Sequence, residues 1–306
     1  MVVGPDGQCR FYARRTNVLQ LVRDSEAVVR YIKEGVSGVS LTARQKSLLD
    51  RPDSRLCARE DTPSRRHVCR RIDKTFIRSK QGLFSAIVYR FMSFNSPAFT
   101  EYSGTNENCK FSSMDDWKRY YDDLKGSFSS RGEDFYCNPK NSGKPVEEYV
   151  SCYWNTCNDS PWVGDSRSTL GFEEMRGKLA GWRSRDLLPG FDDEDLYQLC
   201  VDMVYYGVVS PPSVDDVVEN IVRINGDSFG GLVVLGYLDA NKSRSFSEVH
   251  AAFCAFYDDL YILSVTDGMG QIYVDVIQVE NVLCCFHRLW SMGFYHNTFS
   301  LPFQMR

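Results

Sequence analysis

Apolar residues recur three and four positions apart along most of this 306-residue chain, and no long segment alternates strictly, so the sequence restricts the fold to packed helices. The spacing predicts helices over Val18–Ile32, Gln81–Phe94, Ser112–Leu124, Phe172–Trp182, Glu194–Tyr206, Val214–Ile224, Phe229–Leu238, Phe246–Leu263 and Val274–Met292. Between Gly126 and Gly171 the chain is rich in Gly, Pro, Asn, Ser and Asp. That composition predicts loops, short extended pieces around Asp134–Cys137 and one short helix near Val146–Trp154. With 43% apolar and 13% aromatic side chains the chain can bury a large core, as one domain or as two closely packed lobes.

From Arg65 to Gly104 a basic segment, RRHVCRRIDKTFIRSK, runs into an apolar one that closes on RFMSFNSPAFTEYSG. A helix here, with Ser64 able to cap it, stacks Arg66, Arg70, Lys74 and Arg78 on one face and turns Val68, Cys69, Ile72 and Phe76 inward. The charge along the chain is uneven: residues 1–90 carry 19 Lys and Arg against 9 Asp and Glu, the remainder 17 against 31, within a net charge of −4. This asymmetry points to a polyanionic partner, nucleic acid first. The competing reading is a solvated face whose cations pair with acids of the distal part once the chain folds.

The start of the sequence lacks an apolar run of signal-peptide length, and no stretch approaches the roughly 20 apolar residues of a spanning helix. A soluble, intracellular protein without membrane contact is expected, in the nucleus if the source is eukaryotic. Eleven cysteines without a CxxC pair read as reduced core thiols, and four dispersed histidines suggest no metal ligation. Leu188, Pro189 and Gly190 form a tight turn, and Asp192 or Asp193 can cap the helix after it, a helix-hairpin-helix reading. Acids so near the turn would repel a phosphate from its N–H groups. No GxxxxGK loop is present, so no fused kinase is expected.

The ordered blocks RRHVCRRIDKTF, FSAIVYRFMSFNSPAFTEYSG, SSRGEDFYC, LPGFDDEDLYQLCVDMVYY, INGDSFGGLVVLG and VENVLCCFHRLW resemble the α-glutamyl/putrescinyl thymine pyrophosphorylase family, the helical domain of 5-hydroxymethyl-deoxyuridine DNA kinases and related amino-acid:DNA transferases. The resemblance runs over about Arg55–Met292. It implies a mainly α, helix-hairpin-helix, DNA-glycosylase-like domain over 55–292 with a long irregular insertion at about 126–171, an N-terminal helical extension over 1–54 and a tail over 293–306.

The implied activity is thymine hypermodification in DNA, in which an amino-acid or polyamine amine displaces (pyro)phosphate from a hydroxymethyl-uracil base. A base-excising glycosylase and a non-catalytic nucleic-acid-binding relative are the alternatives. Carried over residue by residue, the motifs place Gln198, Asp202 and Tyr205 on one helical face, with Asp202 as general base and the other two orienting base or nucleophile. Arg59, Arg65, Arg66, Arg70, Lys74, Arg78, Arg90 and Asn95 are the expected phosphate and nucleic-acid contacts. A divalent metal would suit a diphosphate, but no metal ligands are assigned. The chain departs from the pattern in two blocks: Gly226, Asp227 and Ser228 replace Gly-Pro-Gly, and Cys285, His287, Arg288 and Leu289 replace two acids, a lysine and a tyrosine. Gly230 and Gly231 mark either a close approach to a ligand or a packed helix start.

Overall fold

The computed structural model describes residues 5–34, 40–50, 55–57, 59, 62, 65, 72–92, 110–130, 145–158, 169–240, 244–266 and 275–294. Among them eleven helices run in the order α1 Pro5–Glu34, α2 Ala43–Asp50, α3 Lys80–Met92, α4 Met114–Ser130, α5 Val146–Asn158, α6 Phe172–Ser184, α7 Asp193–Tyr205, α8 Val214–Arg223, α9 Gly226–Val234, α10 Phe246–Thr266 and α11 Val276–Ser291. The protein is mainly α, as the spacing predicts. Strand-like pairing among the described residues is limited to one parallel bridge, Leu170 to Val209. No helix among them is long and apolar enough to cross a membrane.

The chain forms two compact units, residues 63–212 and residues 1–62 with 213–306. The region expected as one domain over 55–292 is thus shared between them, and the N-terminal helices join the C-terminal ones.

In the 63–212 unit, α3 is apolar nearly all round and buries Leu83, Phe84, Ile87 and Val88, packing against α5 and α7. Trp117 on α4 is fully buried and donates its indole N–H to the Met92 sulfur at 3.2 Å. Helices α6 and α7 pack together and are joined by the turn at 185–192, where Asp186 (φ 56°) and Gly190 (φ 84°) both adopt left-handed backbone. The Leu170–Val209 bridge closes this pair at its far end through Ser210 N–H to Leu170 O at 2.8 Å. Asp192 caps α7 in a reciprocal box with Asp195, as the sequence suggests.

The other unit centres on an apolar cluster that includes Leu21 of α1, Val217 and Ile221 of α8, Phe253 of α10 and Leu283 and Phe286 of α11. Helix α8 presents a clean stripe after a Ser213–Asp216 capping box. Helix α9 starts at Gly226, ahead of the expected Phe229, because the Asn225 side chain accepts from Ser228 N–H at 3.0 Å and caps it there. A methyl group at Gly231 would lie 2.6 Å from Leu283 O, and one at Gly230 would run into the His287 ring. These glycines therefore let α9 press against α11, the packed-helix alternative.

The basic run differs from its expected form. Residues 66–71 lie outside the described set, and residues 74–78 form a turn in which Asp73 accepts from the Thr75 and Phe76 N–H groups. After this turn helix α3 begins at Lys80, and a Cβ on Gly82 would collide with the Phe76 backbone. The extended pieces around Asp134–Cys137 also lie outside the described residues.

Gly190→Ala combines a disfavoured φ with a Cβ placed 2.7 Å from the Phe91 ring, so it is expected to destabilise by roughly 1–3 kcal/mol. Gly126→Ala, inside α4 with nothing within 4 Å of the added carbon, is expected to stabilise by about 0.5–1 kcal/mol. Urea unfolding curves of the two variants should shift in opposite directions.

Candidate functional site

Asp202 sits in the last two turns of α7, 2% exposed, and holds two guanidinium groups. Arg90, near the end of α3, donates Nε–H to Oδ2 at 2.6 Å and Nη2–H to Oδ1 at 2.5 Å, the two-pronged geometry suited to a carboxylate. Arg65, 1% exposed, donates from Nη1 to Oδ1 of the same carboxylate and lays its guanidinium 4.4 Å over the Tyr205 ring and 5.7 Å from the Tyr206 ring. A buried guanidinium without a counter-charge is strongly unfavourable, and this carboxylate answers for two of them.

The structure thus brings together Asp202, Arg65, Arg90 and Tyr205 of the expected set. Gln198 is half-buried one turn earlier on α7. Lys74 is exposed and lies over Gly207 (φ 71°), where an added Cβ would fall 2.7 Å from its Cε and 2.9 Å from its Nζ. Its ammonium covers the C-terminal end of α7, where the helix dipole favours a cation. Arg78 is half-buried in the turn before α3. Arg59 belongs to the other unit, where its backbone N–H donates to Gln278. Arg66, Arg70 and Asn95 lie outside the described residues. Tyr206 is the contributor that the motif reading passes over; its only signal is its place beside Tyr205.

The turn between α6 and α7 is engaged internally. Tyr153 donates its hydroxyl to Pro189 O, and Thr156 donates to Leu187 O at 2.9 Å, both from α5. Asp195 N–H donates to Asp192 and Asp192 N–H donates to Asp195, at 2.9 and 3.1 Å. Two of the amides at this helix start, those of Asp192 and Asp195, already serve carboxylates.

A second polar group occupies the other unit, where Asp227 at the start of α9 meets the 284–288 stretch of α11. Asp227 of α9 accepts from Arg288 Nε–H at 2.6 Å and faces His287 Nδ1 at 3.0 Å, so the changed residues complement one another in charge. Beneath them Asn220 and Asn225 both donate to the buried carboxylate of Glu280 at 2.9 Å, and the Ser228 hydroxyl lies 2.9 Å from the Cys284 sulfur. Burial raises that thiol to about 12. Sequence offers one sign of this cluster: Glu280 stands among the buried positions Val279, Val282 and Leu283 of α11.

Fold and site together define a mainly helical protein of two units, one of which buries an Arg–Asp–Arg cluster on the helix that follows a tight Leu-Pro-Gly turn. No protein-family model, curated protein or solved structure matches the chain.

Replacing Asp202 by Asn removes the carboxylate that two buried guanidiniums share, and the expected loss of stability is about 3–5 kcal/mol in urea unfolding. Asp227 gives a pH signature instead. Burial raises its carboxyl pKa, but Arg288 and His287 outweigh burial and hold it below the ordinary 3.8. Its contribution is therefore present above pH 3.8 and lost as pH falls through the lower folded value. Asp227→Asn should flatten the acid limb of the stability–pH curve and leave its neutral-to-basic part parallel to that of the parent.

Proposed function

We propose that this chain acts on modified thymine in DNA, with an amino-acid or polyamine amine displacing (pyro)phosphate from a hydroxymethyl-uracil base. The observation that carries this reading is the meeting of Arg65, Arg90 and Asp202, which are far apart in the chain, at one carboxylate on the helix after the Leu-Pro-Gly turn. The target nucleotide leaves the stack at a cost on the order of a few kcal/mol. Its phosphate or diphosphate then takes Arg90 and Arg65 from Asp202, exchanging one charge-assisted contact for another. The guanidiniums stabilise charge on the leaving group, and the released carboxylate accepts the proton that the attacking ammonium must lose. Tyr205 keeps Arg65 in place from below, and Gln198 orients base or nucleophile. Among the described residues no group of His, Cys, Asp and Glu is arranged to hold a metal ion, so the reading assigns the leaving-group charge to arginine.

One observation favours a second reading, a relative that binds nucleic acid without chemistry: Asp202 is closed to solvent and already saturated with strong donors. The two separate in a single experiment. DNA carrying hydroxymethyl-uracil pyrophosphate is incubated with the protein and an amine mixture, and its nucleosides are weighed by mass spectrometry. The transferase reading expects an amine adduct on that nucleoside, abolished by Asp202→Asn and reduced at least tenfold by Arg90→Gln in variants whose circular dichroism remains helical. Abasic sites would instead identify a glycosylase. Salt-dependent binding without product, unchanged in Asp202→Asn, would identify a binder, and absence of binding at low salt would overturn both readings.

A further inference from the structure

Cys57 and Cys285 lie 228 positions apart in sequence, and both are buried side by side in the interior of the unit formed by 1–62 and 213–306, the Cys285 thiol reaching the carbonyl of the residue before Cys57. Several contacts fix the approach. The Cys57 carbonyl accepts from Gln278 Nε2 and from Asn281 Nδ2 at 2.6 Å, both on α11. Cys57 N–H donates to Ser25 Oγ at 3.3 Å, and Arg59 N–H to Gln278 at 3.4 Å. The Cys285 thiol also reaches Leu56 O at 3.4 Å. Leu56, Cys57 and Arg59 are therefore laced along α11 with Cys57 beside Cys285, just before the chain passes at Thr62 into the 63–212 unit.

We propose that this pair is a redox latch: a low-molecular-weight disulfide converts the two thiols into a Cys57–Cys285 disulfide that fastens the 56–59 segment covalently to α11. The step balances by thiol–disulfide exchange. One cysteine thiolate attacks the small disulfide RSSR, forming a mixed disulfide and releasing RS⁻. The second cysteine then attacks the protein sulfur of that mixed disulfide and releases the other RS⁻. The two thiol protons end on two RSH, so the protein loses two electrons and the small disulfide gains them. In the resting state the latch is guarded. Cys57 is 2% and Cys285 1% exposed, so the oxidant enters only when the segment lifts from α11. The contact with Cys57, and burial next, keep the Cys285 thiol well above its ordinary pKa, which suppresses the attacking thiolate. Slow closure under sustained oxidation, rather than a fast response, follows from both.

The full native chain is incubated with oxidised glutathione, quenched with acid, alkylated and digested without reduction. The expected product is a linked peptide pair joining Cys57 to the 245–288 fragment; it persists in Cys284→Ser and Cys254→Ser and disappears in Cys285→Ser. The oxidised chain should melt at a higher temperature than the reduced one and return on adding dithiothreitol. Glutathione adducts in place of the link, a dominant link through Cys254 or Cys284, or linkage appearing only in denaturant would each overturn the latch. Mapping on the unsubstituted chain keeps the result independent of whether a serine variant folds.

Discussion

One carboxylate decides where two cations of the 63–212 unit can go. Arg65 and Arg90 stand 137 and 112 residues before Asp202, and the side chains of both are nearly closed to solvent, so their burial draws on α7 arriving with its acid in register. That arrival depends on the turn before α7. Gly190 admits the left-handed backbone, Asp186 tolerates a second such step, and α5 binds the turn's carbonyls through Tyr153 and Thr156. Behind it the Asp192–Asp195 box sets the first residue of the helix, and Lys74 covers its last turn. The site is therefore the far end of a chain of local decisions, each made by an identifiable residue type.

Those local decisions explain what could be read in advance. The helices from α6 to α11 were visible because each carries an apolar stripe and most carry an Asp, Ser or Asn cap at a fixed offset. Helix α2 escapes an apolar-periodicity reading although it has its own signature, the reciprocal bonds of Thr42 and Gln45, because its eight residues hold only one buried apolar side chain, Leu48. From Asp73 to Arg78 the basic run is a turn for a related reason: Asp73 offers its carboxylate to the next backbone N–H groups where periodicity alone sees continuity. Of the site, the shared face of Gln198, Asp202 and Tyr205 follows from helical spacing. The partner choice of Asp202 does not, since pairing across more than a hundred residues is set by tertiary packing. The same holds for Asp227 with His287 and Arg288, whose two blocks each looked like a loss and prove to be complementary only once α9 lies on α11.

The linear charge asymmetry changes meaning once the chain is divided as it folds. Residues 63–212 hold 20 Lys and Arg against 21 Asp and Glu, so the excess positive charge of the first 90 residues is shared between two units and largely neutralised within each. Pairs such as Arg65–Asp202, Lys110–Asp73 and Arg183–Asp193 take part in that neutralisation. The proposed contact with DNA consequently cannot rest on a uniformly basic surface or on the amides of the turn. It rests on exchange, in which a phosphate competes with a carboxylate for a guanidinium already held in place. Such an exchange leaves the number of charge-assisted bonds nearly constant, so its free energy is governed by geometry and desolvation rather than by net charge. An anion that matches the two-pronged spacing of Arg90 would then be selected over one that merely carries more charge.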